Sequence, residues 1–164
     1  MPDLIAHYRR DAKGGKHFRG LSVLNHSAQI GDLIRLHGAR TILDYGSGAG
    51  DQYRPPVNVH EEWGVPVPTL YDPAFPTHDK LPVGVFDGVI CSGVLEHVPE
   101  HDVDAFIARL FGYARGFVWA SVCCRPAQKT FPDGTNLHVT VRPLAWWHTR
   151  FLAHYRDYTL TEAP

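Results

Sequence analysis

Residues 41–50 read Thr41-Ile42-Leu43-Asp44-Tyr45-Gly46-Ser47-Gly48-Ala49-Gly50. A short apolar, β-rich run leads straight into three glycines. The run has the length and composition of a buried strand. The glycines let the backbone turn tightly and approach a ligand closely. In an open α/β sheet, the space past a strand's carboxyl end is where ligands bind.

Outward from this point the chain alternates. Residues 22–37 place Leu24, Ala28, Ile30, Leu33, Ile34 and Leu36 on one helical stripe, with Ser22 as a candidate cap and Gly38 as the stop. Strands are predicted over 67–71, 86–91 and 117–124, helices over 101–115 and 144–155, and an edge strand over 158–160. Pro55-Pro56 follows Gly50 so soon that the next helix should be short or broken. Residues 1–20 read as a polar N-terminal extension, irregular but for one short helix, and 125–137 as a loop. Strand-helix alternation predicts an α/β fold: a mostly parallel sheet with helices on both faces, in a single domain over 1–164.

Composition narrows the function. The chain has 164 residues, 44% hydrophobic and 20% charged, with a formal net charge of −1. Nucleic-acid and membrane surfaces usually need a basic excess, so neither partner is expected. The cluster Arg9, Arg10, Lys13, Lys16 and Arg19 reads as a solvated face. No run approaches the ~20 apolar residues of a membrane span, and Met1 to Ile5 is too short for a signal peptide's apolar core. Cys91, Cys123 and Cys124 are odd in number and two are adjacent, which argues against a disulfide framework and for a reducing cytoplasm.

The glycine loop discriminates between ligands. A dinucleotide loop wants Gly-x-Gly-x-x-Gly facing a pyrophosphate. Counting from Gly46 and Gly48, the third glycine should fall at 51, where Asp51 stands. That acid, and Asp44 at the strand's end, would repel a pyrophosphate. A sulfonium with an amino-acid tail carries positive charge, and nearby carboxylates favour it.

Leu43 to Gly50 resembles throughout the first motif of the class I S-adenosylmethionine-dependent methyltransferases, apolar-Asp-x-Gly-x-Gly-x-Gly. Tyr71-Asp72-Pro73, with Asp72 28 positions after Asp44, is similar to the family's second motif. Phe86 to Val98, FDGVICSGVLEHV, is similar to its fourth. The likeness covers roughly residues 22–160. It implies a Rossmann-like fold, S-adenosylmethionine as cofactor and methyl transfer, here to a small molecule since no substrate domain is appended. It also implies that Asp44 engages the methionine moiety, that the Gly46–Gly48 backbone passes close to it, and that Asp72 holds the ribose hydroxyls. Tyr45, Ser47, Gln52, Pro73 and Ser92 complete the implied cofactor contacts.

One departure stands out. Only 15 positions separate Asp72 from Asp87, while a crossover connection needs at least ~10–12 residues by itself. The family's third strand should therefore be missing. Its end usually supplies an adenine contact, so adenine would lie instead against Pro73, Phe75 or His78-Asp79.

Methyl transfer is an in-line displacement that needs alignment and, for a hydroxyl or amine, removal of a proton. His97 and His138 are the candidate bases, with Glu96 beside them, and both histidines follow the carboxyl ends of strands. Glu96-His97 also resembles part of the Glu-x-x-Glu-His pattern of methyltransferases that bind a divalent metal, such as small-RNA 2′-O-methyltransferases and quinone O-methyltransferases. The first acid of that pattern is Gly93 here, which leaves Glu96, His97 and His138 as candidate ligands and the set incomplete. A hydroxyl acceptor suits these residues best. Cys91-Ser92-Gly93-Val94 stands where DNA amino-methylating enzymes carry Asn/Asp-Pro-Pro-aromatic, so DNA-base methylation is not expected. Trp146-Trp147 and Cys123-Cys124 read as core, and Tyr53 and Trp63 as candidate walls of the cofactor site. The shortened middle also motivates a competing reading, a non-catalytic cofactor-binding or partner-interaction protein. The sequence sets neither the acceptor nor an oligomeric state.

Overall fold

The computed structural model describes residues 4–13, 18–154 and 156–163. Five strands, β1 (Ile42–Tyr45), β2 (Thr69–Tyr71), β3 (Phe86–Ser92), β4 (Ala114–Val122) and β5 (Tyr158–Glu162), form one sheet in the order β2-β1-β3-β4-β5. Every pairing is parallel. The fold is α/β and Rossmann-like, abbreviated as its sequence predicts.

Side-chain alternation explains why both faces are covered. Leu43, Val89, Cys91, Val118 and Ala120 point to one face, where they meet α4 (Val103–Tyr113) and α5 (Leu144–Leu152) through Ile107, Leu110, Trp147 and Phe151. Ile42, Ile90, Phe117 and Trp119 point to the other, against Ile30 and Ile34 of α2 (Ser27–His37) and Trp63 of α3 (Val59–Trp63). Strands apolar on both faces are what a doubly covered parallel sheet requires.

Several boundaries move. The stretch read as one helix over 22–37 is a 3-10 turn, Leu21–His26, followed by α2. Ser22 does not cap it: its hydroxyl turns inward to the Ser92 carbonyl at 3.4 Å, and Val23 is buried. α4 passes into β4 at Ala114 with no intervening loop, so that strand starts earlier than read and ends before the cysteines. Cys123 and Cys124 are half-buried rather than core. α3 has only five residues, as the prolines predict. Residues 4–13 form a ten-residue helix, α1 (Leu4–Lys13).

Residues 72–85, between β2 and β3, contain neither strand nor helix. The extra strand that the resemblance implies between β2 and β3 is absent here, and so is any helix that would return from it. β2 is thus an edge strand. Because β1 lies between β2 and β3, the sheet grows first one way and then the other. A crevice opens at the carboxyl ends of β1 and β3, the usual ligand position in such sheets. Among the described residues, no helix is long and apolar enough to cross a membrane.

Candidate active site

A cavity of about 500 Å³ occupies this crevice. Its wall includes Gly46 and Gly48 after β1, Asp72 and Pro73 after β2, and Ser92, Gly93 and His97 after β3. Gly46, Gly48 and Gly50 all have positive φ, at 95°, 59° and 76°. A Cβ on Gly46 would collide with Val94 Cγ2, and one on Gly48 with the Phe18 carbonyl. The close approaches that the glycines permit are therefore, in part, approaches of the chain itself.

The implied cofactor residues divide into two layers. Tyr45, Gly46, Gly48, Asp72, Pro73 and Ser92 line the cavity. Asp44, Ser47 and Gln52 do not: they are buried beneath the loop, at 2%, 1% and 0% exposure. Asp44 Oδ2 accepts hydrogen bonds from Gln52 Nε2 at 2.9 Å and from the Tyr53 hydroxyl at 2.8 Å. Gln52 Nε2 also donates to the Ser47 carbonyl at 3.2 Å. Through that oxygen Asp44 stiffens the loop from below. Burial pushes its carboxyl up to about 6, against the pull of those two donors. Tyr53 and Trp63, read as candidate walls, belong to the core below. Asp72 does face the cavity. Its two oxygens accept the backbone N–H groups of Gly48 and Ala74 at 2.9 and 2.8 Å. Each oxygen keeps a further lone pair for a donor such as a hydroxyl. Burial raises its pKa, and those N–H groups oppose the rise.

Glu96, His97 and His138 come together although 40 residues of chain separate the histidines. One ligand atom from each lies within 4.8 Å of the others, and the two imidazoles are 5.0 Å apart. Of the three, His97 lines the cavity, and Glu96 and His138 adjoin it without lining the cavity themselves. A Cβ on Gly93 would sit 3.8 Å from Glu96 Oε1 and 3.8 Å from Ser22 Oγ. His97 Nδ1–H donates to the Leu137 carbonyl at 3.0 Å, and His138 Nδ1–H to the Arg125 carbonyl at 2.6 Å. A carbonyl only accepts, so each Nδ1 carries the proton and each Nε2 the lone pair. Glu96 Oε1 accepts the Cys123 N–H at 3.1 Å, and its buried Oε2 has no partner. Burial pulls His97 down to about 4 and pushes Glu96 up to about 7. His101 stays outside this group and pairs with Asp102 at 3.4 Å.

The amino-terminal segment covers the cavity. The Phe18 and Arg19 carbonyls accept the Ala49 and Asp51 N–H groups at 2.9 and 3.2 Å. Arg9 Nε donates to the Pro73 carbonyl at 2.8 Å. The Tyr8 hydroxyl donates to the Leu137 carbonyl at 3.1 Å and sits 2.9 Å from His97 Nδ1. Sequence reading missed Tyr8 and Phe18, because nothing local in a polar extension marks a residue that returns to a site. It also missed Asp102, Ala105, Phe106 and Arg109 of the cavity wall. Their spacing in the sequence is a legible helical stripe.

No family model matches the chain, and neither does any curated protein or solved structure.

Proposed function

We propose that this chain is an S-adenosylmethionine-dependent methyltransferase acting on a hydroxyl of a small molecule, with a divalent cation held by Glu96, His97 and His138. The observation that carries the reading is the convergence of those three side chains at a cavity that His97 lines together with Gly46, Gly48 and Asp72.

The residues fit a cation. Both histidines offer Nε2 with Nδ1 anchored to a carbonyl, the arrangement that orients metal-ligating imidazoles. Glu96 offers a buried, unpartnered carboxylate oxygen. Two imidazoles and one carboxylate leave coordination positions open to a substrate. Gly93, where the resembling family has a first acid, widens that opening. When bound, the cation supplies Lewis acidity that lowers the pKa of a coordinated hydroxyl.

The chain's own residues do the rest. Asp72 accepts from the ribose hydroxyls, and the Gly46–Gly48 backbone gives the methionine moiety room. Asp44, Gln52 and Tyr53 hold that backbone in place. The covering segment with Tyr8 and Phe18 excludes water from the reacting atoms and, by alignment, turns two reactants into one oriented pair. The free thiols Cys91, Cys123 and Cys124 fit a reducing compartment such as the cytoplasm.

The test combines binding and turnover. Calorimetry should detect S-adenosylhomocysteine binding to the chain. Label from methyl-tritiated S-adenosylmethionine should pass to catechol or vicinal-diol acceptors with Mn²⁺ or Co²⁺, and not with chelator. A folded chain that fails to bind S-adenosylhomocysteine removes the cofactor reading. Binding without turnover across a broad acceptor panel favours the non-catalytic alternative.

A further inference from the structure

We propose that the adenine of the cofactor lies in an aromatic slot built by α4, which replaces the missing third strand. This rests on the proposed cofactor. α4 carries two stripes. Val103, Ile107, Leu110 and Phe111 are buried against the sheet. Asp102 at its N-cap, then Ala105, Phe106 and Arg109, follow at positions i, i+3, i+4 and i+7 and line the cavity.

Such a second stripe is ordinarily wet. Here it has something to face, because residues 72–85 send no helix back over β1 and β2. Tyr45 and Tyr71, at the ends of those strands, form the floor, with ring centroids 4.6 Å apart. Phe106 stands edge-on to Tyr45 at 5.3 Å. Pro73 and Phe75, from the loop that begins at Asp72, also line this cavity. A ribose held by Asp72 would direct its base between that loop and Phe106. By contrast, His78 and Asp79 are not in the wall. Asp79 pairs with Arg9 at 3.5 Å, and the His78 carbonyl accepts the Asp72 N–H.

The polar edge suits a purine. Arg109 Nη1 makes one long hydrogen bond, 3.5 Å to the Tyr45 hydroxyl. Among the described residues no carboxylate forms an ion pair with it. It therefore has N–H donors to offer the ring nitrogens, which are acceptors, and a planar guanidinium that stacks on aromatic rings. A planar base between aromatic and aliphatic walls, with one directional donor, is a common small-ligand design.

Calorimetric titration of the full chain with S-adenosylhomocysteine tests this. Wild type should bind, Phe106→Ala and Arg109→Gln should each weaken binding at least tenfold, and Leu36→Ala, an exposed change on α2, should not. Nuclear Overhauser contacts between the adenine H2 or H8 protons and the Phe106 ring should appear in the wild-type complex. Arg109 is on the surface, so its variant reads out even where Phe106→Ala fails to fold. If wild type binds S-adenosylhomocysteine while Arg109→Gln binds equally well and no such contacts appear, the slot is overturned and the cofactor reading stands. If wild type does not bind, both fall.

Discussion

At the residue scale, single positions carry two separable demands. Gly46 adopts φ 95°, and Val94 Cγ2 fills the space a Cβ would take. Gly46→Ala should therefore cost about 2–4 kcal/mol, combining backbone strain and overpacking. Adding Val94→Ala should recover the packing part and leave about 1–2 kcal/mol of strain. Urea melts of the two single variants and the double variant check this, and strictly additive losses would count against the contact. Asp44 makes a different demand. Its carboxyl titrates near 6 in the fold, against an ordinary 3.8. A raised folded pKa means that the proton is held more tightly in the folded state. The stability it contributes is full below about pH 4 and is lost as pH rises through 6. The whole effect is about 3 kcal/mol, with about 1 kcal/mol of it between pH 5 and 7. Other groups titrate too, so the readout is a difference. Wild type should lose about 1 kcal/mol relative to Asp44→Asn between those two pH values, whereas parallel profiles would show that Asp44 does not titrate there. Asp44 was legible as an acid at the end of a buried strand. Its role beneath the loop was not, since nothing in the motif says that Tyr53 and Gln52 turn back to meet it.

At the element scale, the strands were the most legible feature. β1 and β3 are short, apolar and each followed by a glycine, so burial on both faces leaves a plain pattern. The missing third strand was equally plain, because 15 positions cannot hold a strand and a crossover. What period and composition do not encode is where an element docks. Among the described side chains of α1, those of residues 4–10, none belongs to the buried core, yet Leu4, Ile5 and Tyr8 line the cavity and Arg9 bonds to Pro73. Elements with few core contacts sit at the low end of local stability. A chain beginning at Phe18 should keep the Phe18–Ala49 bond, unfold cooperatively and melt within about 5 °C of the full chain. It should bind S-adenosylhomocysteine at least tenfold more weakly. Calorimetry and thermal melts of the truncated chain decide this, and undiminished affinity would show that α1 covers the cavity without contributing to binding.

At the scale of the whole molecule, two ligands in one crevice are distinct only if each can be removed without the other; the residues make that separation testable. Asp72 follows β2, whereas Glu96 and His97 follow β3 and His138 follows the loop beyond β4. Any ligand that binds the folded chain alone stabilises it, by about 2.7 kcal/mol at a hundred times its dissociation constant. For a chain of this size that corresponds to roughly 5–10 °C in melting temperature. S-adenosylhomocysteine and Co²⁺ should each raise the melting temperature of wild type. His138→Ala removes one proposed cation ligand and no lining residue of the cavity, so it should lose the Co²⁺ shift and keep the S-adenosylhomocysteine shift. Asp72→Asn should do the reverse, because an amide no longer offers two acceptors to a pair of hydroxyls. Chelator should return wild type to the melting temperature of the metal-free chain. If both variants lose both shifts, the crevice is one cooperative site and the two-ligand assignment fails. If His138→Ala keeps the Co²⁺ shift, the cation binds elsewhere, and the convergence of Glu96, His97 and His138 is a structural polar cluster.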